Sequence, residues 1–179
     1  MRVLPLVLLV LIVSCQSKKT TFDKFSEFES YVNQVDNGYI KSQESQNLIF
    51  ETKLVPSVDA VDGEHFVVHL RISNKDGASV LDFGTSSKDE VLMREGYLSF
   101  DVIKDVFIAE SDGLDHKPTF HHYERNYGLK PSIDMFFKFK ELAPKDDVSF
   151  CYRDELFGQG LINIELEKEL FNKCYVKES

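Results

Sequence analysis

Between residues 112 and 124 the chain reads DGLDHKPTFHHYE, which puts Asp112, Asp115, His116, His121, His122 and Glu124 within thirteen positions. Zinc or copper needs three or four such imidazoles and carboxylates converging on one point. The spacing works against this. On a strand His121 and Tyr123 share one face and His122 and Glu124 the other, so the adjacent histidines point apart. No HExxH motif and no CxxC pair occurs. The expectation is therefore solvated histidines and no bound metal or cofactor, with His116 and His121 kept as binding candidates. Arg125 joins them, because Tyr123 and Tyr127 flank it and a guanidinium beside aromatic rings can form a binding patch. Its structural alternative is an ion pair to Glu124 or Asp134. Catalytic patterns are weaker. Gly158–Gly160 reads as a hairpin turn rather than a phosphate loop, and Asp154 and Glu155 face opposite ways on a strand, not across a cleft as a glycosidase pair must.

A second kind of chemistry lies at the start. Met1 and Arg2 precede a run from Val3 to Val13 that is apolar except for Pro5. As a helix its roughly 11 residues reach about 16 Å, short of a bilayer core of about 30 Å, and they match the hydrophobic region of a signal peptide. The run closes with Ile12, Val13, Ser14 and Cys15, which resembles a bacterial lipobox. The resemblance implies cleavage before Cys15 and acylation (diacylglycerol and palmitate) of its thiol and new N-terminus. Two or more acyl chains anchor a protein stably. Gln16 differs from the Asp that resembles an inner-membrane retention signal, and SKKT lacks the acidic residues of surface-export tags. The expected location is thus the periplasmic face of the outer membrane. In that oxidising compartment Cys151 and Cys174 form an even pair, which permits a disulfide worth roughly 3 kcal/mol.

The elements that must position these groups follow from periodicity. The chain has 179 residues, 42% of them apolar, with 15 Phe and 7 Tyr, which suffices for one core. Phe22, Phe25, Phe28, Val32 and Val35 make one helical face, which Thr21 can cap and Asp36–Gly38 ends. The period then becomes two. Strands are expected in NLIFETKLVP, HFVVHLRISN, ASVLDF, YLSFDVI, DVFIAE, TFHHYERNY, SIDMFFKFK, VSFCYRD and LINIEL, with KDEVLMRE ambiguous and EKELFNK a terminal helical turn. Val68, Leu70, Ile72, Met135, Phe137, Phe139, Phe150 and Ile164 should point inward. Seven to nine short strands with regular turns, and no βαβ rhythm, predict a mostly β chain: an antiparallel β-sandwich (immunoglobulin-like) preceded by one short helix. The divisions are a signal peptide at 1–14, a lipidated tether at 15–21 and one domain at 22–179.

NGYIKSQESQNLIFETKLVP, YLSFDVIKDVFIAE and FHHYERNYGLKP resemble regions of small uncharacterised lipoproteins of Bacteroidota. With the lipobox the likeness covers about half of the chain. It implies the compartment and the single domain, and carries no catalytic residue. With 30 acidic against 21 basic residues and a net charge of −9, a nucleic-acid partner is not expected. The expected function is a non-enzymatic binding module, held to the membrane through Cys15 and meeting an envelope protein or glycan. The alternative is a small periplasmic hydrolase or metal-dependent enzyme built on 112–124.

Overall fold

The computed structural model describes residues 18–56, 58, 65–140 and 142–177. The apolar run and Cys15 lie outside them. Along the chain the elements are β1 (Thr21–Phe22), α1 (Phe25–Val32), β2 (Ile40–Ser45), β3 (Leu48–Val55) and β4 (His65–Asn74). There follow α2 (Lys88–Phe100), β5 (Val106–Ala109), β6 (Asp115–His116), β7 (Phe120–Glu124) and β8 (Ile133–Lys140). The chain closes with β9 (Val148–Asp154), β10 (Gly160–Leu166) and β11 (Tyr175–Val176). Three short 3₁₀ turns, Val35–Asn37, Val102–Asp105 and Lys168–Phe171, link them.

Two antiparallel sheets face each other, one ordered β2-β3-β4-β8-β7 and the other β10-β9-β5-β6. Strand alternation sends Phe50 and Leu54, Val68 and Leu70, and Met135 and Phe137 from the first sheet into a core shared with Ile108, Phe150 and Tyr152 from the second, all fully buried. Rings meet across the interface: Phe137 and Phe150 lie 6.3 Å apart, Phe50 and Tyr152 6.2 Å. The eight inward positions expected from alternation are all buried. The chain is a mostly β sandwich with a short helix before it.

Several local expectations give way. YLSFDVI is not a strand: KDEVLMRE continues through it as α2 and ends in the 3₁₀ turn. The buried positions are Arg94, Leu98 and Val102, four residues apart, which is the helical period. Ser87 caps the helix, its hydroxyl accepting from Glu90 N at 3.4 Å, and Asp89 and Glu90 favour the first turn. ASVLDF is a turn that drives Val80 into the core, with Val80 N donating to Pro131 O at 2.8 Å. IKSQES, outside every expected strand, is strand β2.

The first helix is shorter than its apolar face suggests. Its N-cap is Lys24, without a side-chain bond, and not Thr21; Val35 lies beyond it and is exposed. Thr21 and Phe22 instead pair in parallel with Tyr175 and Val176. Of the expected tether at 15–21, the described residues are fastened to the domain. Lys18 Nζ donates to Asn37 O at 2.8 Å, and Lys19 N to the Tyr31 hydroxyl at 3.1 Å. Gly38, at φ 79°, closes the turn beside them; a Cβ there would lie 3.0 Å from Lys18 Nζ.

Candidate functional site

The structure separates the histidines of the 112–124 segment. His116, on β6, places Nε2 2.5 Å from Glu110 Oε1. His121, on β7, faces inward over Phe137 with ring centres 6.2 Å apart, and its Nε2 is buried without a partner. His122 faces the other way, 6.4 Å from Phe136. Among the described residues no three His, Cys, Asp or Glu side chains assemble into a metal-binding group.

Arg125 also has a different partner from those expected. Its Nη2 donates to Ser99 Oγ on α2 at 3.3 Å, while Glu124 pairs with Lys130 at 3.4 Å and Asp134 with Arg71. Its two tyrosines diverge: Tyr123 is buried and Tyr127 is 82% exposed. Cys151 and Cys174 are both buried free thiols, so the expected disulfide is not formed. The reason is parity. Core residues Phe150 and Tyr152 take the inner face of β9, which puts Cys151 on the outer face, whereas Cys174 packs into the core cluster beside Tyr39. Burial pushes the Cys174 thiol up to about 11 and raises that of Cys151, so both stay protonated and inert at neutral pH.

A network that the sequence reading missed lies on the outer face of the five-stranded sheet. Asp134 on β8 is only 2% exposed. It accepts from Arg71 Nε at 2.8 Å and from His69 Nε2 at 2.8 Å, both on β4. Burial pushes the Asp134 carboxyl upward, but the bonds from Arg71 and His69 and the Arg71 charge outweigh it and hold it below the usual carboxylate range. An ionised carboxylate only accepts, so His69 carries its proton on Nε2. Burial holds His69 below the usual imidazole range despite Asp134. Phe136 stacks on His69 at 4.5 Å and 8°. A histidine oriented by a carboxylate is the frame of a general base, yet here Arg71 shares the carboxylate and Phe136 covers the ring, so the network clamps β4 to β8. The only sequence signal was an Asp inside an apolar alternation. Its meaning depends on the pairing of Arg71 with Asp134 across β4 and β8.

The two ends of the sandwich differ. Strand β4 has ten residues, so the long axis is about 30 Å. At one end Phe66 meets Phe171 at 5.1 Å, and Phe22, Tyr31, Tyr39 and Cys174 gather with α1, β1 and β11. At the other end stand α2, the turn at 80–84 and the loop at 125–131. These are tied together by Val80 to Pro131, by Arg125 to Ser99, and by Arg94 Nη1 donating to Leu81 O and Phe83 O, each at 2.7 Å. This far end exposes large apolar side chains: Leu92 64%, Met93 68%, Phe100 75%, Tyr127 82% and Leu129 87%. Large exposed apolar side chains gathered at one end of a domain make that end a candidate interaction surface.

No protein-family profile, curated protein or solved structure matches the chain. No helix among the described residues is long and apolar enough to cross a membrane.

Proposed function

We propose that the chain is an envelope lipoprotein, acylated at Cys15 and held at the periplasmic face of the outer membrane, that acts as a non-enzymatic binding module. Two features support the anchor: the lipobox resemblance at Ile12–Cys15 and the likeness of three internal stretches to small lipoproteins of Bacteroidota. The observation that carries the binding role is the polarity of the fold. The first described residue, Lys18, lies at one end, and the exposed apolar side chains of α2 and the 125–131 loop lie at the other, about 30 Å away. An anchored domain thus presents Leu92, Met93, Tyr127 and Leu129 away from its anchor. Methionine and tyrosine are enriched in the cores of protein interfaces, and the leucines beside them offer no hydrogen bond to a sugar, so an envelope protein is the better-fitting partner than a glycan.

The test is a pull-down of the native lipidated protein from envelope extract, read by mass spectrometry, beside Leu92→Asp/Leu129→Asp. Both side chains are exposed, so the variant should fold as the parent does. A partner retained by the parent and lost from the variant is the expected result. Equal capture by both would place the binding surface elsewhere. Cys15→Ser should abolish acyl labelling, and a mutant that still matures into the membrane fraction would sink the anchor.

A further inference from the structure

We infer that the end built from α1, β1 and β11 is itself a docking surface for anionic lipid headgroups, so that the domain stands on the bilayer rather than hanging from it. This rests on acylation at Cys15. The first argument is reach. Three Cα steps separate Cys15 from Lys18, which is at most about 11 Å, a fraction of the length of the sandwich. The chain does not lengthen by peeling, because its start is bonded down. Tyr175 N donates to Thr20 O at 2.7 Å and Lys177 N to Phe22 O at 3.0 Å. Phe22 itself is 1% exposed, packed against Phe28 and Tyr31. An acylated Cys15 therefore brings this end to the headgroups.

The second argument is charge. The whole chain carries 30 acidic and 21 basic residues. Yet residues 18–32 and 173–177, which carry β1, α1 and β11, hold Lys18, Lys19, Lys24, Lys173 and Lys177 against Asp23, Glu27 and Glu29, a basic excess on an acidic chain, with Lys18 also paired to Glu167 at 3.4 Å. Lys19 and Lys177 pair with Glu27 and Asp23 at exposed positions, where water screens the bond and the ammonium groups stay available. Beside them Phe25 is 45% and Tyr175 49% exposed, aromatic groups of the kind that settle at a headgroup layer. An anionic surface attracts this end and repels the acidic remainder, which orients the long axis away from the membrane.

The test places a fluorophore at Tyr175→Cys or at Leu129→Cys in the acylated protein, in phosphatidylethanolamine/phosphatidylglycerol vesicles containing headgroup spin-labelled lipid. The buried Cys151 and Cys174 leave the new thiol as the reactive one. Quenching should be several-fold stronger at position 175 than at 129. Insertion of a long Gly/Ser segment between Gln16 and Lys18 separates leash from surface. The contrast should persist on these vesicles, fall on phosphatidylcholine, and fall on both with Lys24→Glu/Lys173→Glu. Equal quenching at the two positions in protein shown by mass spectrometry to be acylated overturns the docking surface. A long-leash contrast indifferent to lipid charge overturns the headgroup chemistry. Absence of acyl mass on Cys15 overturns the lipoprotein reading instead.

Discussion

Burial of Asp134 between Arg71 and His69 makes stability depend on pH, with a sign that can be worked out. Both Asp134 and His69 are held below their ordinary values of 3.8 and 6.5. A group with a depressed folded pKa binds fewer protons in the folded than in the unfolded chain. Its contribution is complete above the unfolded pKa and is lost as pH falls through the folded one. His69 therefore acts first, as pH drops below about 6.5, and Asp134 only below about 4. The urea midpoint should fall between pH 7.5 and 5, and His69→Gln should flatten that upper part of the profile while leaving the acid limb. A mutant profile parallel to the parent's would remove His69 from the account. Asp134→Ala should cost about 1 to 3 kcal/mol at pH 7, because it leaves the buried Nε2 hydrogen of His69 without an acceptor and takes the partner from the solvent-exposed Arg71. None of this was legible in the sequence. Asp134 sits where alternation expects a solvated side chain, and it is buried because β4 brings one cation, Arg71, and one neutral donor, His69, over it. Arg125 was recognisable as a candidate, but its partner Ser99 lies on a helix that the alternation of YLSFDVI disguised.

Elements were readable to the extent that each buries one apolar face. Strands β4, β8 and β9 carry their core residues at every second position, so their register followed directly. Phe137→Ala, at the centre of that core, should cost about 3 to 5 kcal/mol. Lys140→Ala, exposed on the same strand, should cost under about 0.5. Chemical denaturation yielding equal costs would mean that β8 is misregistered. Strand β2 was missed because its inner-facing positions Lys41 and Gln43 line an open groove towards Asn163 and Glu165 of β10, where polar groups meet water. Helix α2 was left ambiguous over KDEVLMRE, and its continuation was read as a strand, because its buried face leads with Arg94, whose charge is satisfied by Glu90 and by two backbone carbonyls. Neither compensation shows in hydropathy. The Ser87 cap is the local signal that remained. Ser87→Ala should lower stability by about 1 kcal/mol, and a null effect in the same titrations would mean that the 3.4 Å bond to Glu90 N contributes nothing.

At the scale of the molecule, the first and last described strands hold each other. Residues that read as loose tether are part of the fold because Tyr175 and Val176, more than 150 positions away, supply their hydrogen-bond partners. That closure was invisible locally: a two-residue strand has no period, and chain ends ordinarily fray. It also sets how far an anchored domain could move from its membrane, so its strength matters to the proposed function. Phe22 decides that strength, since it is the one β1 side chain in the core, with ring centres 5.4 Å from Phe28 and 5.3 Å from Tyr31. If β1 and β11 belong to the cooperative unit, Phe22→Ala should lower global stability by about 3 to 5 kcal/mol. The amides of Tyr175 and Lys177, which donate to Thr20 and Phe22, should then exchange at the new global rate. If instead the pair opens by itself, the urea midpoint will hold, the two amides will exchange far faster than the core, and trypsin will cut at Lys18, Lys19 or Lys24 in the folded protein. The first outcome is expected, because Phe22 packs on Phe28 and Tyr31 of α1, and Tyr31 in turn on Tyr39, rather than on its own short strand. The second would mean a leash that lengthens on demand, and a domain free to leave the surface to which it is tied.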